Sequence, residues 1–150
     1  MLRALLLLAI SLVLAPLAAA QTAATYLIEG DTIAQPLIAG GGDAARGRQL
    51  LAARDPANCI LCHGAPAGLR DAGVRFSGDL APPLDGAGAR WTPAQLRLRI
   101  VDSGRLNPQT IMPAYFRSEG LTEVAAAYRG KPILSAREIE DLIAYLSTLK

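Results

Sequence analysis

Two cysteines and the chain's one histidine stand together as Cys59-Ile60-Leu61-Cys62-His63. Thiols three positions apart can reach the two vinyl groups on one edge of a porphyrin and close two thioether bonds. The histidine directly after the second thiol then turns its imidazole beneath the iron as the proximal ligand. C-x-x-C-H is the attachment signature of a c-type haem. Other chemistries open to these residues explain less. A dithiol redox centre belongs in a βαβ setting, which this sequence does not offer, and leaves His63 without a role. A structural zinc site takes four ligands, and this cluster supplies three. A plain disulfide suits an oxidising compartment but makes His63 a coincidence. The pattern predicts one covalently bound haem c per chain, with Cys59 and Cys62 as thioethers and His63 on the iron.

The sixth ligand follows by elimination. Only Met1 and Met112 carry a thioether, and there is no second histidine. A lone loop methionine is ordinarily hydrophobic filler, but beside a bound haem Met112 is the expected distal ligand. His/Met ligation raises the reduction potential, and two filled axial positions favour electron transfer over small-molecule activation. Around this set, the Pro82 carbonyl could accept a hydrogen bond from His63 Nδ1–H, as ligated imidazoles require. Loop structure explains the Pro82-Pro83 pair equally well. Trp91 could donate its indole N–H to a haem propionate or cap the core.

The elements that must position these residues are helical. Asp43 can cap a helix running to about Arg54 with Leu50 and Leu51 on its buried side, and Asp55-Pro56 stops it. From Gly64 to Gly88 the chain is rich in Gly, Pro and Asp and reads as irregular loop. Thr92-Pro93 starts a second helix that turns Leu96, Ile100 and Val101 inward and Arg97 outward, and fails at Gly104. A loop with Asn107-Pro108 and Met112-Pro113 follows. Ser135-Ala136-Arg137-Glu138 is a capping box, and Ile139, Leu142, Ile143, Leu146 and Leu149 form the apolar stripe of the last helix. Gly47 and Tyr145 suit a close crossing of the two terminal helices.

The first twenty residues read as an export signal: Arg3, an apolar run from Ala4 to Leu14, and Ala18-Ala19-Ala20 before a cleavage site. An uncleaved anchor is the competing reading, but Ala4 to Ala20 is at the lower edge of a membrane span and is broken by Pro16. Export predicts a periplasmic protein with no membrane attachment after cleavage. Residues 21–42 lack helical period and read as an extended arm ending in a hinge at Gly40-Gly41-Gly42. The remainder, 43–150, makes one domain. A net charge of +2, from 15 basic and 13 acidic residues, is too small for a dedicated nucleic-acid or polybasic membrane binder. With 51% hydrophobic and 19% charged residues the chain is a folding one.

Several longer segments carry a more specific signal than the haem motif. They are Tyr26-Leu27-Ile28-Glu29-Gly30-Asp31, Arg97-Leu98-Arg99-Ile100-Val101-Asp102, Asn107-Pro108-Gln109-Thr110-Ile111-Met112-Pro113-Ala114-Tyr115, Val124 to Tyr128, and Gly130-Lys131-Pro132-Ile133-Leu134. Together they resemble the SoxX family over almost the whole mature chain. The resemblance implies an all-α, class I cytochrome c-like domain with long loops wrapped round its haem. It implies the monohaem subunit of a periplasmic SoxAX complex, paired with a SoxA-type dihaem or monohaem cytochrome. Such a complex is an L-cysteine S-thiosulfotransferase, joining thiosulfate oxidatively to a cysteine of a SoxYZ-type carrier. The SoxX subunit takes up the electrons for a small c-type cytochrome, with no catalysis of its own.

The family pattern gives the same four residues, Cys59, Cys62, His63 and Met112. Two positions depart from it: Leu50 and Leu51 stand where class I cytochromes often carry an aromatic, and Ala81 where a glycine is common. Docking is expected through the haem edge, with Ile60, Leu61, Pro113, Ala114, Tyr115 and Phe116 at its centre. Arg117 is expected at the rim, and the arm across the partner. The alternatives are a free-standing periplasmic cytochrome c or the haem subunit of another dehydrogenase.

Overall fold

A computed structural model of the chain describes residues 25–150; the expected signal peptide, 1–20, and the first residues of the arm, 21–24, lie outside the described residues. Regular structure among the described residues is helical, apart from two isolated bridges, Glu29 with Thr32 and His63 with Ala81. The capping box predicted at Ser135 forms. Its hydroxyl accepts from Glu138 N–H at 3.3 Å, while the Glu138 carboxylate accepts from Ser135 N–H at 2.7 Å. The resulting helix, α5 (Ala136–Leu146), buries Ile139, Leu142, Ile143 and Leu146. Leu149 lies past its end and is half-buried.

Helix α1 (Ala44–Ala52) starts where Asp43 accepts from Arg46 N–H at 2.9 Å, and stops two residues short of Arg54. It crosses α5 at Gly47. A Cβ there would collide with the Asp141 carbonyl, so only glycine permits the approach. Leu51 is buried beside the crossing and Leu50 half-buried, while Tyr145 lies buried one turn along α5. Two further short helices, α2 (Ala67–Asp71) and α3 (Ala87–Arg90), interrupt the stretch expected to be irregular loop. The start of α2 is capped from a distance: Asp85 accepts from Ala67 N–H at 2.8 Å and pairs with Arg70 at 2.9 Å. A cap supplied from outside the segment leaves no local signature.

Helix α4 (Pro93–Asp102) begins in the predicted way, with Thr92 and Gln95 exchanging a second capping box. Leu96, Leu98, Ile100 and Val101 are buried. Arg97 is buried too, at 4% exposure, and corrects the expectation that it faces outward. Its guanidinium donates to both oxygens of Glu140, itself 3% exposed, at 2.6 and 2.9 Å, and to the Ile33 carbonyl at 2.7 Å. Hydrophobic periodicity assigns a lone charge to solvent, but a charge whose partners arrive from another helix and from the arm can be buried.

The arm is placed by the same carboxylate. Leu37 N–H donates to Glu140 at 2.9 Å, Ile33 N–H donates to the Ala94 carbonyl at 3.1 Å, and Ile33 is fully buried. The described part of the arm therefore lies along α4 and α5 of its own domain. Gly40 and Gly41 take left-handed conformations in a turn, and Gly42 packs on the Glu140 backbone, where a Cβ would collide.

Two expected outcomes follow from these buried charges. Arg97→Met leaves Glu140 uncompensated and should cost about 3–5 kcal/mol in unfolding of the haem-loaded protein. Arg97→Met/Glu140→Leu should cost less than the single substitution, since the stranded charge goes with its partner. The second concerns Asp141, whose carboxyl is held below its usual range by hydrogen bonds from Arg46 and the Asp43 N–H. A depressed carboxyl stabilises fully above its unfolded value of about 3.9 and loses that contribution as pH falls through the lower folded one. Asp141→Asn should therefore lower the midpoint of thermal unfolding at neutral pH and narrow the gap to the unaltered protein below about pH 4.

Candidate haem attachment site

The motif begins after a backbone reversal. Asn58 takes a left-handed conformation with φ +48°, and a single 3₁₀ turn runs over Cys59–Leu61. Cys62 N–H and His63 N–H both donate to the Cys59 carbonyl, at 3.3 and 3.1 Å. That turn sets two free thiols three residues apart, both half-buried and not bonded to each other. Burial pushes the Cys59 thiol up to about 11. Ile60, between the cysteines, is buried in the core, whereas Leu61 is 55% exposed.

His63 is oriented as its sequence context suggested. Its Nδ1 lies 2.7 Å from the Pro82 carbonyl oxygen. A carbonyl only accepts, so the proton sits on Nδ1 and Nε2 is left with its lone pair free to ligate. The segment bearing Pro82 is docked by main-chain bonds on either side. Ala81 N–H donates to the Cys62 carbonyl at 2.9 Å, Leu84 N–H to Gly64 at 3.1 Å, and Gly78 N–H to Ile60 at 2.8 Å. Ala81 makes this contact without the glycine common at its position. Gly78 escaped the sequence reading: a Cβ there would run into the Leu61 carbonyl, so the return strand can pass this close only as glycine. Among so many loop glycines, nothing local distinguishes it.

Met112 comes from the loop beyond α4. It is half-buried against the core, its N–H donating to Thr110 Oγ1 at 3.2 Å and its carbonyl accepting from Ser103 Oγ at 2.9 Å. Further along, Tyr115 is buried and its hydroxyl donates to the Ala57 carbonyl at 3.0 Å, two residues before Cys59. The methionine loop and the cysteine turn are thus tied together. Tyr115, Phe116 and Ile60 belong to the core, which corrects their expected place at the centre of a docking face; their bulk fills the space beneath the loops. Pro113 is exposed and Ala114 half-buried. Arg117 is half-buried and paired with the buried Asp102 at 3.0 Å. Trp91 lies at the surface with the Arg99 guanidinium 3.5 Å above its ring, a cation–π stack.

The donor set fits a c-type haem. It comprises two unpaired thiols on one turn, an imidazole with its tautomer fixed and Nε2 free, and a thioether on a braced loop. It does not fit zinc: among the described residues no three His, Cys, Asp or Glu side chains gather as metal ligands.

Comparison with known proteins agrees with this chemistry. The family model for cytochrome c matches residues 44–150. No match is found among curated proteins. Among solved structures, a chain of the crystal structure of SoxXA from P. pantotrophus is similar, with a TM-score of 0.77 and 34% identity over 87% of this chain and 99% of that one. A haem motif, a C-terminal helix crossing and a methionine loop in one chain, matched over this length, place it in the cytochrome c family, as a haem c protein of the SoxX type.

Proposed function

We propose that this chain is the electron-accepting subunit of a periplasmic SoxAX-type complex that joins thiosulfate to a cysteine of a SoxYZ-type carrier. The extended match to SoxXA is the observation that carries this reading. Joining thiosulfate to a thiol forms a sulfur–sulfur bond and releases one proton and two electrons, so the complex needs a sink for electrons. A haem bound here supplies a reversible one-electron couple whose potential is raised by a methionine ligand.

The residues divide the work of making that sink. Cys59 and Cys62 would hold the porphyrin covalently, and His63 Nε2 and Met112 Sδ would ligate its iron. The Pro82 carbonyl keeps the imidazole in the ligating tautomer. With both thiols, its one histidine and Met112 given to the haem, the chain has no second thiol or imidazole for chemistry on thiosulfate. It therefore acts as the electron-transfer part of a heteromeric L-cysteine S-thiosulfotransferase, and the thiol chemistry belongs to a SoxA-type partner. A small c-type cytochrome takes the electrons onward. Export through residues 1–20 places the chain in the periplasm. Leu61 and Ile111, 55% and 71% exposed and each adjacent in sequence to a proposed haem ligand, supply the apolar part of the docking face.

Three experiments test the proposal. Expressed with cytochrome c maturation machinery, the protein should keep its haem through denaturing electrophoresis and acid–acetone extraction, and Cys59→Ala/Cys62→Ala should not. In the oxidised haem protein, Met112→Ala should abolish the sulfur-to-iron charge-transfer band and lower the potential; survival of the band excludes Met112 as ligand. For the partner, the mature chain alone should show one-electron redox behaviour without thiosulfate turnover. Thiosulfate-dependent haem reduction should require both a SoxA-type subunit and a SoxYZ-type carrier, and Leu61→Asp should weaken it. Reduction by the chain alone, or failure to bind any SoxA-type cytochrome, would favour a free-standing electron carrier.

A further inference from the structure

We infer that Ser103 and Tyr115 are positioning residues for Met112, clamping its loop so that the sulfur stays available as sixth ligand; this rests on reading Met112 as that ligand. Between Gly104 and Ala114 no residue is buried, and Ile111 and Pro113, on either side of Met112, are exposed. Apolar packing therefore does little to hold the loop closed. Directed hydrogen bonds do that instead.

Neither peptide group of Met112 is held by main chain. Its N–H goes to the Thr110 hydroxyl at 3.2 Å, and its carbonyl takes the Ser103 hydroxyl at 2.9 Å. Pro113 adds no donor and biases Met112 toward extended backbone. Ser103 sits at the end of α4, so its hydroxyl ties the loop to a helix. Tyr115 secures the other side. Its N–H donates to the Ile100 carbonyl at 3.2 Å, its carbonyl accepts from Leu134 N–H at 2.9 Å, and its hydroxyl reaches the Ala57 carbonyl at 3.0 Å. Ser103 is 8% exposed and Tyr115 7% exposed. Water does not readily replace such sheltered bonds, and removing the donor strands a carbonyl. Each clamp thus acts on the equilibrium between the loop held in place and the loop swung away.

The test uses the full mature chain loaded with haem and imidazole as competing sixth ligand. Ser103→Ala and Tyr115→Phe should each retain the charge-transfer band at neutral pH. Each should bind imidazole about tenfold more tightly, the effect of one lost sheltered hydrogen bond. Ser103→Thr, which keeps the hydroxyl, should restore the unaltered affinity. Leu51→Ala, a core truncation beside the crossing of α1 and α5, should lower the thermal midpoint and leave imidazole affinity unchanged. If Ser103→Ala and Tyr115→Phe lower the thermal midpoint but leave imidazole affinity within about twofold, an effect below one hydrogen bond, the two residues are merely structural and the inference falls. If Met112→Ala keeps the band, the ligand assignment fails and takes the inference with it.

Discussion

Helix α5 buries two adjacent carboxylates, and neither can stay charged in the interior without a partner. Glu140 and Asp141 project from consecutive positions, so their partners must come from different sides of the helix. Asp141 draws in α1, through the Arg46 guanidinium and the Asp43 N–H, while its carbonyl receives Gly47. Glu140 draws in α4 through Arg97, and the arm through Leu37 N–H. Three separate segments are thus fixed relative to one helix by two acidic groups. The apolar stripe of α5 supplies driving force for burial, but apolar contact is non-directional. The paired charges specify which segment lies where.

The proposed haem ligands are carried on what this frame leaves over. The cysteine turn follows α1, and the methionine loop follows α4, so both ligand-bearing segments emerge from helices already set by α5. The turn and the loop then need only short-range ties: Pro82 to His63, Ser103 to Met112, Tyr115 to Ala57. Every one of these ends on a main-chain carbonyl. A carbonyl cannot ionise, so the acceptors that orient the site do not change charge with pH. Electron transfer favours such rigidity, because a ligand set that stays put between oxidation states has little to reorganise.

What was legible in the sequence has a common character. The N-caps at Asp43, Thr92 and Ser135, the stripe of α5, the haem motif and the Gly47 crossing are local patterns, or pairs of patterns whose meaning is steric. The Pro82 carbonyl could be anticipated because a ligated histidine needs an acceptor for its other nitrogen. The misses are all long-range. Arg97 reads as a surface charge until Glu140, 43 positions later, is set against it. Helix α2 is invisible until Asp85 caps it. Ile60, Tyr115 and Phe116 read as a docking face because they are apolar and close in sequence to the haem motif and Met112, yet the loops above a small helical frame have their own interior to fill. Gly78 became notable only when the backbone it passes was known.

The attachment of the arm changes where this protein ends as a folding body. The family match begins at residue 44, yet Ile33 is as deeply buried as any residue of α5, and the Arg97 guanidinium gives one of its hydrogen bonds to the Ile33 carbonyl. A chain trimmed to the matched segment would open an apolar hollow on α4, and would cost Arg97 an acceptor and Glu140 a donor. The cooperative unit therefore starts earlier than the recognisable domain, and the arm unfolds with the helices it covers.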